Sequence, residues 1–189
     1  TGFKYIAELI RERKNEKFIA GGEESYGYLV DDFVRDKDAI ISSAVICEIA
    51  SWALLSNKNL IDILEDIYDD YGLYVEKLYT IKMEGITGKE KIDSIMRDFR
   101  EKAPSTIFDD KVIKIIDYMD KTENPIIKDK SNVIQLISQK KYIITLRPSG
   151  TEPKLKFYFC VNSKNSNKNK IKLNSLIESE IMKIKKRYE

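Results

Sequence analysis

The residues best suited to chemistry form one short segment near the end of the chain, Arg147 to Lys154. The Arg147 guanidinium offers a planar fork of donors that fits phosphate oxygens, and Ser149 and Thr151 add hydroxyl donors. Gly150 allows backbone N–H groups to turn inward as an anion-binding nest. These groups favour phosphate binding. On composition alone, a β-turn whose arginine pairs with a nearby carboxylate is an equal alternative.

Apolar runs flank this segment at residues 142–146 and 155–161. Both predict β-strands, because they are rich in Ile, Tyr, Phe and Val. Pro148 and Pro153 indicate a loop between the strands, and we expect no partner strand to pair through either proline.

The segment and its surroundings are cationic. Lys154 and Lys156 add positive charge close to Arg147, and Glu152 is the one acidic residue in the segment. Because its charge opposes anion binding, we expect Glu152 to point elsewhere.

A second segment, Gly21 to Tyr28, combines three glycines with two adjacent acids, a serine and two tyrosines. It follows the apolar tripeptide Phe18–Ala20, which predicts a short buried strand opening into a loop. Glycines permit sharp turning and close ligand approach, and the acids can accept hydrogen bonds from a hydroxyl-rich partner. In isolation, a solvated turn is the favoured interpretation of such a loop.

The composition excludes several kinds of active site. The 189 residues contain no histidine, which excludes Ser-His-Asp triads, Cys-His nucleophiles, His-ligated zinc and His general bases. A 42% hydrophobic and 34% charged composition predicts a folded chain. The net charge of +2 gives no field for unspecific nucleic-acid binding.

The two cysteines and the apolar runs indicate in which part of the cell the protein is expected. Cys47 and Cys160 show no metal or redox spacing, which favours a reduced, cytoplasmic setting. The longest apolar run, residues 39–55, contains Glu48 and three serines, which argues against a membrane span. The chain opens without Met, directly in a helical pattern, and we expect it to be a piece of a longer protein.

The first part of the chain is typical of the end of an α/β domain. Helical spacing predicts helices over the first dozen residues, over 39–56 and over 59–71, with Asp36 or Asp38 and Asn59 as N-caps. The second helix is apolar on most faces, so we expect it to be packed between other elements, with Trp52 in the core.

The pattern changes after Gly72. A strand over 74–83 is followed by a helix that a capping box at Thr87–Glu90 opens. Further strands are predicted over 111–119 and 133–137, then the two strands around the phosphate-binding segment, and a final helix from Ile171. This order predicts an α+β domain with an antiparallel sheet packed by two helices.

Three segments taken together resemble the α-D-phosphohexomutase superfamily, the phosphoglucomutases and phosphomannomutases. They are Gly22–Gly27, Val34–Asp38 and Arg147–Lys154, and their order and spacing match the family. The opening, Thr1–Ile6, is similar to a segment that precedes the sugar loop in the bacterial phosphoglucomutase branch.

Members of that family have four domains, and the resemblance covers the end of the third and the fourth. It implies that residues 1–73 are the C-terminal part of the α/β sugar-binding domain 3. Residues 74–189 are then the phosphate-binding domain 4, an α+β domain of the TATA-box-binding-protein-like type, with a short hinge near residues 73–79.

The resemblance also implies roles for individual residues. Glu23 and Ser25 are expected to bind sugar hydroxyls at O3 and O4, and Lys37 is a candidate for proton transfer or for a phosphate contact. The full expected sugar-binding set is Gly22, Glu23, Ser25 and Arg35, and the expected phosphate-binding set is Arg147, Ser149, Gly150 and Thr151.

For the whole enzyme, the resemblance implies interconversion of hexose 1-phosphate and 6-phosphate through an enzyme phosphoserine and glucose 1,6-bisphosphate, with Mg²⁺ as cofactor. The family's Ser-His-Asn and Asp-x-Asp-x-Asp loops have no match in this sequence; Asp31–Asp32 and Asp69–Asp70 lack the metal-loop spacing. We therefore expect this chain to be inactive alone and to hold no metal. The expected partners are a hexose phosphate and the N-terminal domains of the same protein, without nucleic acid or membrane. The alternatives are a non-catalytic phosphate- or nucleic-acid-binding module, or a structural domain whose loops bind nothing.

Overall fold

A computed structural model describes residues 2–23, 26–120, 130–164 and 169–188. The chain forms two compact units, Thr1–Leu64 and Glu65–Glu189. The expected domain boundary between residues 73 and 74 stays a prediction about the full-length protein.

The first unit contains helix α1 (Lys4–Glu12), strands β1 (Ala20–Glu23) and β2 (Gly27–Val30), and helix α2 (Ala39–Leu55). The two strands form an antiparallel hairpin. The prediction of a buried strand at residues 18–20 is therefore wrong: Ile19 is 76% exposed, and the strand lies mostly in the glycine-rich segment expected to be a loop. The glycines are extended because they pair with β2, and not because an apolar side chain needs burial.

Helix α2 begins where the sequence predicts, since the Asp38 side chain accepts hydrogen bonds from the N–H groups of Ile40 and Ile41. Its predicted burial is wrong for this chain: Ala53 is its one buried residue, and Trp52 is 57% exposed. The core of the first unit is a small cluster around Phe3, Ile10 and Leu29. That cluster is too small to cover an apolar helix of 17 residues.

Helix α3 (Leu60–Tyr71) follows. Its predicted cap is confirmed and is reciprocal: Asn59 Oδ1 accepts from the Ile61 and Asp62 N–H groups, and Asp62 Oδ2 accepts from the Asn59 N–H.

The second unit is built on a six-stranded sheet in the order β3-β8-β7-β6-β5-β4, in which every neighbouring pair is antiparallel. Two helices, α4 and α5, complete it, so the predicted antiparallel α+β domain with two helices is confirmed. The TATA-box-binding-protein-like topology is consistent with this order. The elements are β3 (Leu73–Lys82), α4 (Gly85–Glu101), β4 (Thr106–Ile107), β5 (Asp110–Asp117), β6 (Ile134–Ser138), β7 (Ile143–Pro148), β8 (Lys154–Ser163) and α5 (Lys170–Tyr188).

Both helices of this unit pack on one face of the sheet. Apolar side chains of α4, such as Met96 and Phe99, and of α5, such as Ile177, join Phe157 and Phe159 of β8 in one core. Since side chains alternate along a strand, the residues between these buried positions point to the opposite side, called here the open face of the sheet.

Helix α4 begins earlier than the capping box predicts. Its N-cap is Glu84, and Thr87 lies inside the helix. A β-carbon on Gly88 would lie 2.9 Å from Met83 Cβ, so the glycine lets the first turn pack against the end of β3. The helix thus starts two residues before Thr87, soon after the chain leaves β3.

The short strand β4 was not predicted. Its hairpin to β5 turns at Phe108 and Asp109, with φ of 52° and 55°. Buried Glu180 accepts a hydrogen bond from the Phe108 N–H at 3.0 Å and stabilises this left-handed turn from α5.

Within the described ranges, no single helix is long and apolar enough to cross a membrane; α2 and α3 reach that length and composition only as a sharply bent pair.

Candidate functional site

The predicted phosphate-binding segment is the tip of a β-hairpin. Arg147 and Pro148 end β7, residues 149–153 form the turn, and Lys154 begins β8. The prediction that neither proline allows pairing is wrong for Pro148, which lies opposite Leu155. The pairing survives because the next residue supplies the donor: the Ser149 N–H donates to the Lys154 carbonyl at 2.8 Å.

Arg147 is half-buried on the open face of the sheet, directly opposite Lys156. Among the described residues, its guanidinium makes no hydrogen bond or ion pair. The described residues therefore contain no carboxylate that pairs with Arg147 in the way the alternative from composition requires. A cation held without a carboxylate partner and beside a second cation favours an external anion.

Two backbone N–H groups of the turn converge on one oxygen. The N–H groups of Thr151 and Glu152 both donate to Ser149 Oγ, each at 3.4 Å. These long bonds are weak, so the two donors can be redirected to a phosphate oxygen at little cost. Two N–H donors thus lie close together beside Ser149 Oγ, and the anion-binding nest at this turn stays a prediction.

The turn is fixed to the sheet at its far end. The Met83 N–H, just beyond β3, donates to the Pro153 carbonyl at 2.9 Å. Gly150 lies at the exposed tip, and a β-carbon there would meet no heavy atom within 4 Å. The fold therefore does not require glycine at this position, and its missing side chain leaves the surface of the turn open.

Glu152 does not point away from the cations as expected. Its carboxylate lies 2.8 Å from Lys154 Nζ. The hydrogen bond from Lys154 is the main cause that lowers the pKa of Glu152, and Lys82 and Lys156 lower it further. Three lysines act on this one acid, and their attraction overrides the expectation.

In the first unit, the structure brings together Glu23 and Lys37. Glu23 lies opposite Gly27 in the β1–β2 hairpin, and the Lys37 side chain runs over Gly27. A β-carbon on Gly27 would lie 2.2 Å from Lys37 Cδ and 3.4 Å from Glu23 Oε2. The Glu23 carboxylate and the aliphatic part of the Lys37 side chain therefore both lie next to Gly27, which has no side chain to separate them.

Hydrogen bonding keeps Lys37 charged. Its Nζ donates to Asp36 Oδ1 at 2.6 Å, which is the main cause that raises the pKa of Lys37, and the charge of Glu23 raises it further. A protonated lysine can donate a hydrogen bond to a hydroxyl or phosphate. The direction of this pKa therefore favours a donor role over a general-base role.

The backbone fixes Lys37 over the hairpin. The Asp38 N–H donates to the Tyr28 carbonyl at 2.8 Å, which ties the 31–38 segment to β2. Gly22 lies opposite Tyr28, and a β-carbon there would lie 2.8 Å from the Tyr28 ring. Gly22 thus supports the hairpin by letting this ring lie across it.

Of the remaining two predicted sugar-binding residues, Arg35 is not brought to this pair. The Arg35 guanidinium donates to the backbone carbonyls of Asp32 and Val34 within its own loop. Ser25 lies outside the described residues. Their roles stay predictions.

The described residues do not fit a Mg²⁺ site, because nowhere in them do three or more Asp, Glu, Cys or His side chains come together to hold a metal ion. No chemical step is therefore assigned to a metal on this chain.

Sequence reasoning missed Lys82. It lies at the end of β3, opposite Lys154 and two residues from Thr80, which pairs with Lys156. No local signal could have found it, because its place beside the turn depends on pairing between strands that are about 70 residues apart in the chain.

Comparisons with known proteins show which family this chain resembles over most of its length. A family model for the phosphoglucomutase/phosphomannomutase alpha/beta/alpha domain III matches residues 1–71. A phosphoglucomutase of Staphylococcus aureus (strain MSSA476) is 42% identical over 188 residues, which is 95% of this chain and 34% of the relative. A phosphoglucomutase of Staphylococcus haemolyticus (strain JCSC1435) is 42% identical over 173 residues, covering 87% of this chain and 31% of the relative.

The fold has a solved counterpart. The open form of pp63/parafusin, a phosphoglucomutase of Paramecium, matches 96% of this chain and 32% of its own chain, with a TM-score of 0.65 and 18% identity. The chain thus spans about a third of the length of the relatives it matches.

Proposed function

We propose that this chain, which belongs to the phosphoglucomutase/phosphomannomutase family, forms the C-terminal part of a hexose phosphate mutase. In that role the turn at residues 147–154 anchors the phosphate that does not react, and the first unit supplies groups that bind the sugar hydroxyls. The observation that carries the proposal is the half-buried Arg147, which has no acidic partner among the described residues and lies beside a turn whose N–H groups converge.

In the full-length enzyme, a phosphoserine outside this chain transfers its phosphoryl group to the free hydroxyl of a hexose monophosphate. The serine oxygen leaves, and the product is a bisphosphate such as glucose 1,6-bisphosphate. The bisphosphate then turns over, and its other phosphoryl group returns to the serine. Mg²⁺ would stabilise the charge on the transferring phosphoryl group if the rest of the protein holds it, and no residue described here is assigned to bind it.

Such a cycle needs an anchor that accepts either end of the sugar. A guanidinium, a hydroxyl and backbone N–H groups recognise a dianion and little else, which suits Arg147 and the turn that follows it. Charge-assisted hydrogen bonds contribute about 1.5–3 kcal/mol each, so two or three at the phosphate account for micromolar binding.

The pair formed by Glu23 and Lys37 suits the sugar. A carboxylate accepts from a hydroxyl hydrogen and an ammonium donates to a hydroxyl oxygen, so adjacent hydroxyls such as O3 and O4 can engage both groups. Equatorial hydroxyls at these positions nearly superpose when the sugar reverses, and the same pair can therefore serve both orientations.

The remaining domains of the same protein are the proposed partners of the first unit. Helix α2 exposes an apolar surface that includes Ile40, Leu54 and Leu55, each more than 70% exposed. Contiguous apolar surface of this kind marks an interaction surface, and the relatives contain about twice as much further sequence as this chain spans.

Steady-state kinetics of the full-length protein test the proposal. Replacing Arg147 with alanine is expected to raise KM for the hexose phosphate by about 10- to 100-fold, the loss of one charge-assisted contact, while serine phosphorylation is retained. Lys114→Ala, which removes a cation from distant β5, is the control. Unchanged kinetics in Arg147→Ala would remove the anchor role, and a salt-sensitive response of the chain to an oligonucleotide would favour the nucleic-acid-binding alternative.

A further inference from the structure

Four cations lie together on the open face of the sheet, across three strands. Strand β7 contributes Arg147, β8 contributes Lys154 and Lys156, and β3 contributes Lys82. Each alternates with a side chain buried under the helices: Leu146, Leu155, Phe157 and Ile81. The four side chains therefore project from the same side of the sheet.

The strand pairing places like charges opposite each other twice. Lys156 is the partner of Arg147, and Lys82 is the partner of Lys154. Paired residues in antiparallel strands have β-carbons about 4.5–5.5 Å apart, and like charges in such pairs are destabilising. Two adjacent rows of this kind disfavour the folded state unless an anion lies between them.

Glu152 is the resident anion of this cluster. Its ion pair with Lys154 is direct, and Lys82 and Lys156 also act on its carboxylate. The cluster contains four positive charges and one carboxylate, so it keeps an excess of positive charge that a ligand can neutralise. A phosphate monoester carries about −1.5 to −2 charges at neutral pH, which suits this excess.

The position of Lys82 is fixed by two backbone relationships. It is the last paired residue of β3, opposite Lys154. The next residue, Met83, donates its N–H to the Pro153 carbonyl of the turn. Within the described part of the chain, the Lys82 ammonium makes no hydrogen bond or ion pair, so it is available to an anion bound at the turn.

We propose that Lys82 is a further phosphate-binding residue and that Glu152 is an internal competitor, which a bound phosphate displaces from Lys154. This inference rests on the proposed function, because it extends the phosphate anchor from β7 and β8 to β3. The ligand class is a phosphate dianion, either a phosphate ester or inorganic phosphate.

The roles of Lys82 and Glu152 can be tested by titrating the whole chain with inorganic phosphate. The backbone amide NMR shifts then give the dissociation constant. In the unmodified chain, the shifts are expected at residues 149–154. Lys82→Gln is expected to raise the dissociation constant about fivefold, and Glu152→Gln to lower it about twofold to fivefold, as expected for single exposed charges. Lys82→Arg keeps the charge and is expected to restore binding.

Lys114→Gln is the matched control, because it removes one positive charge from the same open face on β5, which three strands separate from β3. Its dissociation constant is expected to stay unchanged. Equal weakening in Lys82→Gln and Lys114→Gln, or unchanged binding in Lys82→Gln, overturns this inference alone. If phosphate does not shift residues 149–154 in the unmodified chain, the proposed anchor and this inference both fail.

Discussion

Arg147 lies directly opposite Lys156 in the β7–β8 pair, and neither cation has a hydrogen-bonded or ion-paired partner among the described residues. Unpaired like charges side by side destabilise a sheet. Because this cation pair lies at the base of a turn whose N–H groups converge on Ser149 Oγ, we infer that an anion binds there.

Gly150 provides a test that separates binding from folding. We expect Gly150→Ala to leave the free energy of unfolding within about 0.5 kcal/mol of the unmodified value, because the new methyl group meets no neighbour. The same methyl group is expected to weaken phosphate binding about tenfold, since it obstructs one charge-assisted contact at the turn. Thermal unfolding and a phosphate titration measure the two quantities. A large loss of stability with unchanged binding would show that the glycine serves the fold.

The local structure around this site could be predicted from the sequence. The strands around the turn follow from apolar runs rich in β-formers, and the Asp38 and Asn59 caps follow from side chains that bond nearby N–H groups. Such features depend on neighbours within a few positions, which a single sequence contains.

The rest depends on contacts between distant segments. Lys82 joins the cations only through the register of β3 on β8, and Lys37 lies over Gly27 in a segment that the Asp38–Tyr28 hydrogen bond holds against β2. Trp52 was expected in a core, yet its unit has too few apolar partners to cover it. Periodicity gives a helix an apolar face but does not say what covers that face.

Lys37 is expected to depend on Gly27. In Gly27→Ala, the new β-carbon would lie 2.2 Å from Lys37 Cδ, so the lysine must move away from Glu23. We expect the full-length protein to show KM for the hexose phosphate raised about tenfold, the loss of one contact to the sugar. Glu23→Gln is expected to have a similar effect without changing the melting temperature.

Lys17→Ala, in an exposed residue outside the hairpin, is the control for these kinetic measurements. If Gly27→Ala retains full activity, the Lys37–Glu23 pair has no part in substrate binding.

Trp52 is the single tryptophan and reports on the surface of α2. In the isolated chain we expect solvent-exposed emission and efficient quenching by iodide, because the side chain is 57% exposed. In the full-length protein, where we propose that other domains cover this helix, the emission is expected to shift to shorter wavelength and the quenching to fall. Identical spectra and quenching in the two proteins would argue against that coverage.

Tyr188 is expected to give the second unit a specific sensitivity to alkaline pH. Burial, followed by the hydrogen bond that its hydroxyl donates to Asp98 Oδ2 at 2.8 Å, raises the pKa of Tyr188. The unfolded phenol ionises near pH 10, at about its ordinary pKa, whereas the folded phenol resists ionisation. The stabilisation is therefore present below pH 10 and is lost as pH rises above it.

Tyr188→Phe is expected to lower the free energy of unfolding by about 1–1.5 kcal/mol at pH 8, the contribution of one hydrogen bond. Above pH 10, the difference from the unmodified chain is expected to shrink. Denaturant unfolding at several pH values measures this difference in the free energy of unfolding, and Tyr71→Phe, at an exposed tyrosine, is the control. A difference that stays constant between pH 8 and pH 11 would exclude this linkage.

We propose above that the turn at residues 147–154 recognises the phosphate of a hexose phosphate. The most direct test is to titrate the whole chain with glucose 6-phosphate and, separately, with glucose, and to follow the backbone amide shifts of residues 149–154. We expect saturable shifts with the phosphate ester, none with glucose, and loss of the response in Arg147→Gln. Equal responses to both sugars, or a response that survives in Arg147→Gln, would contradict it.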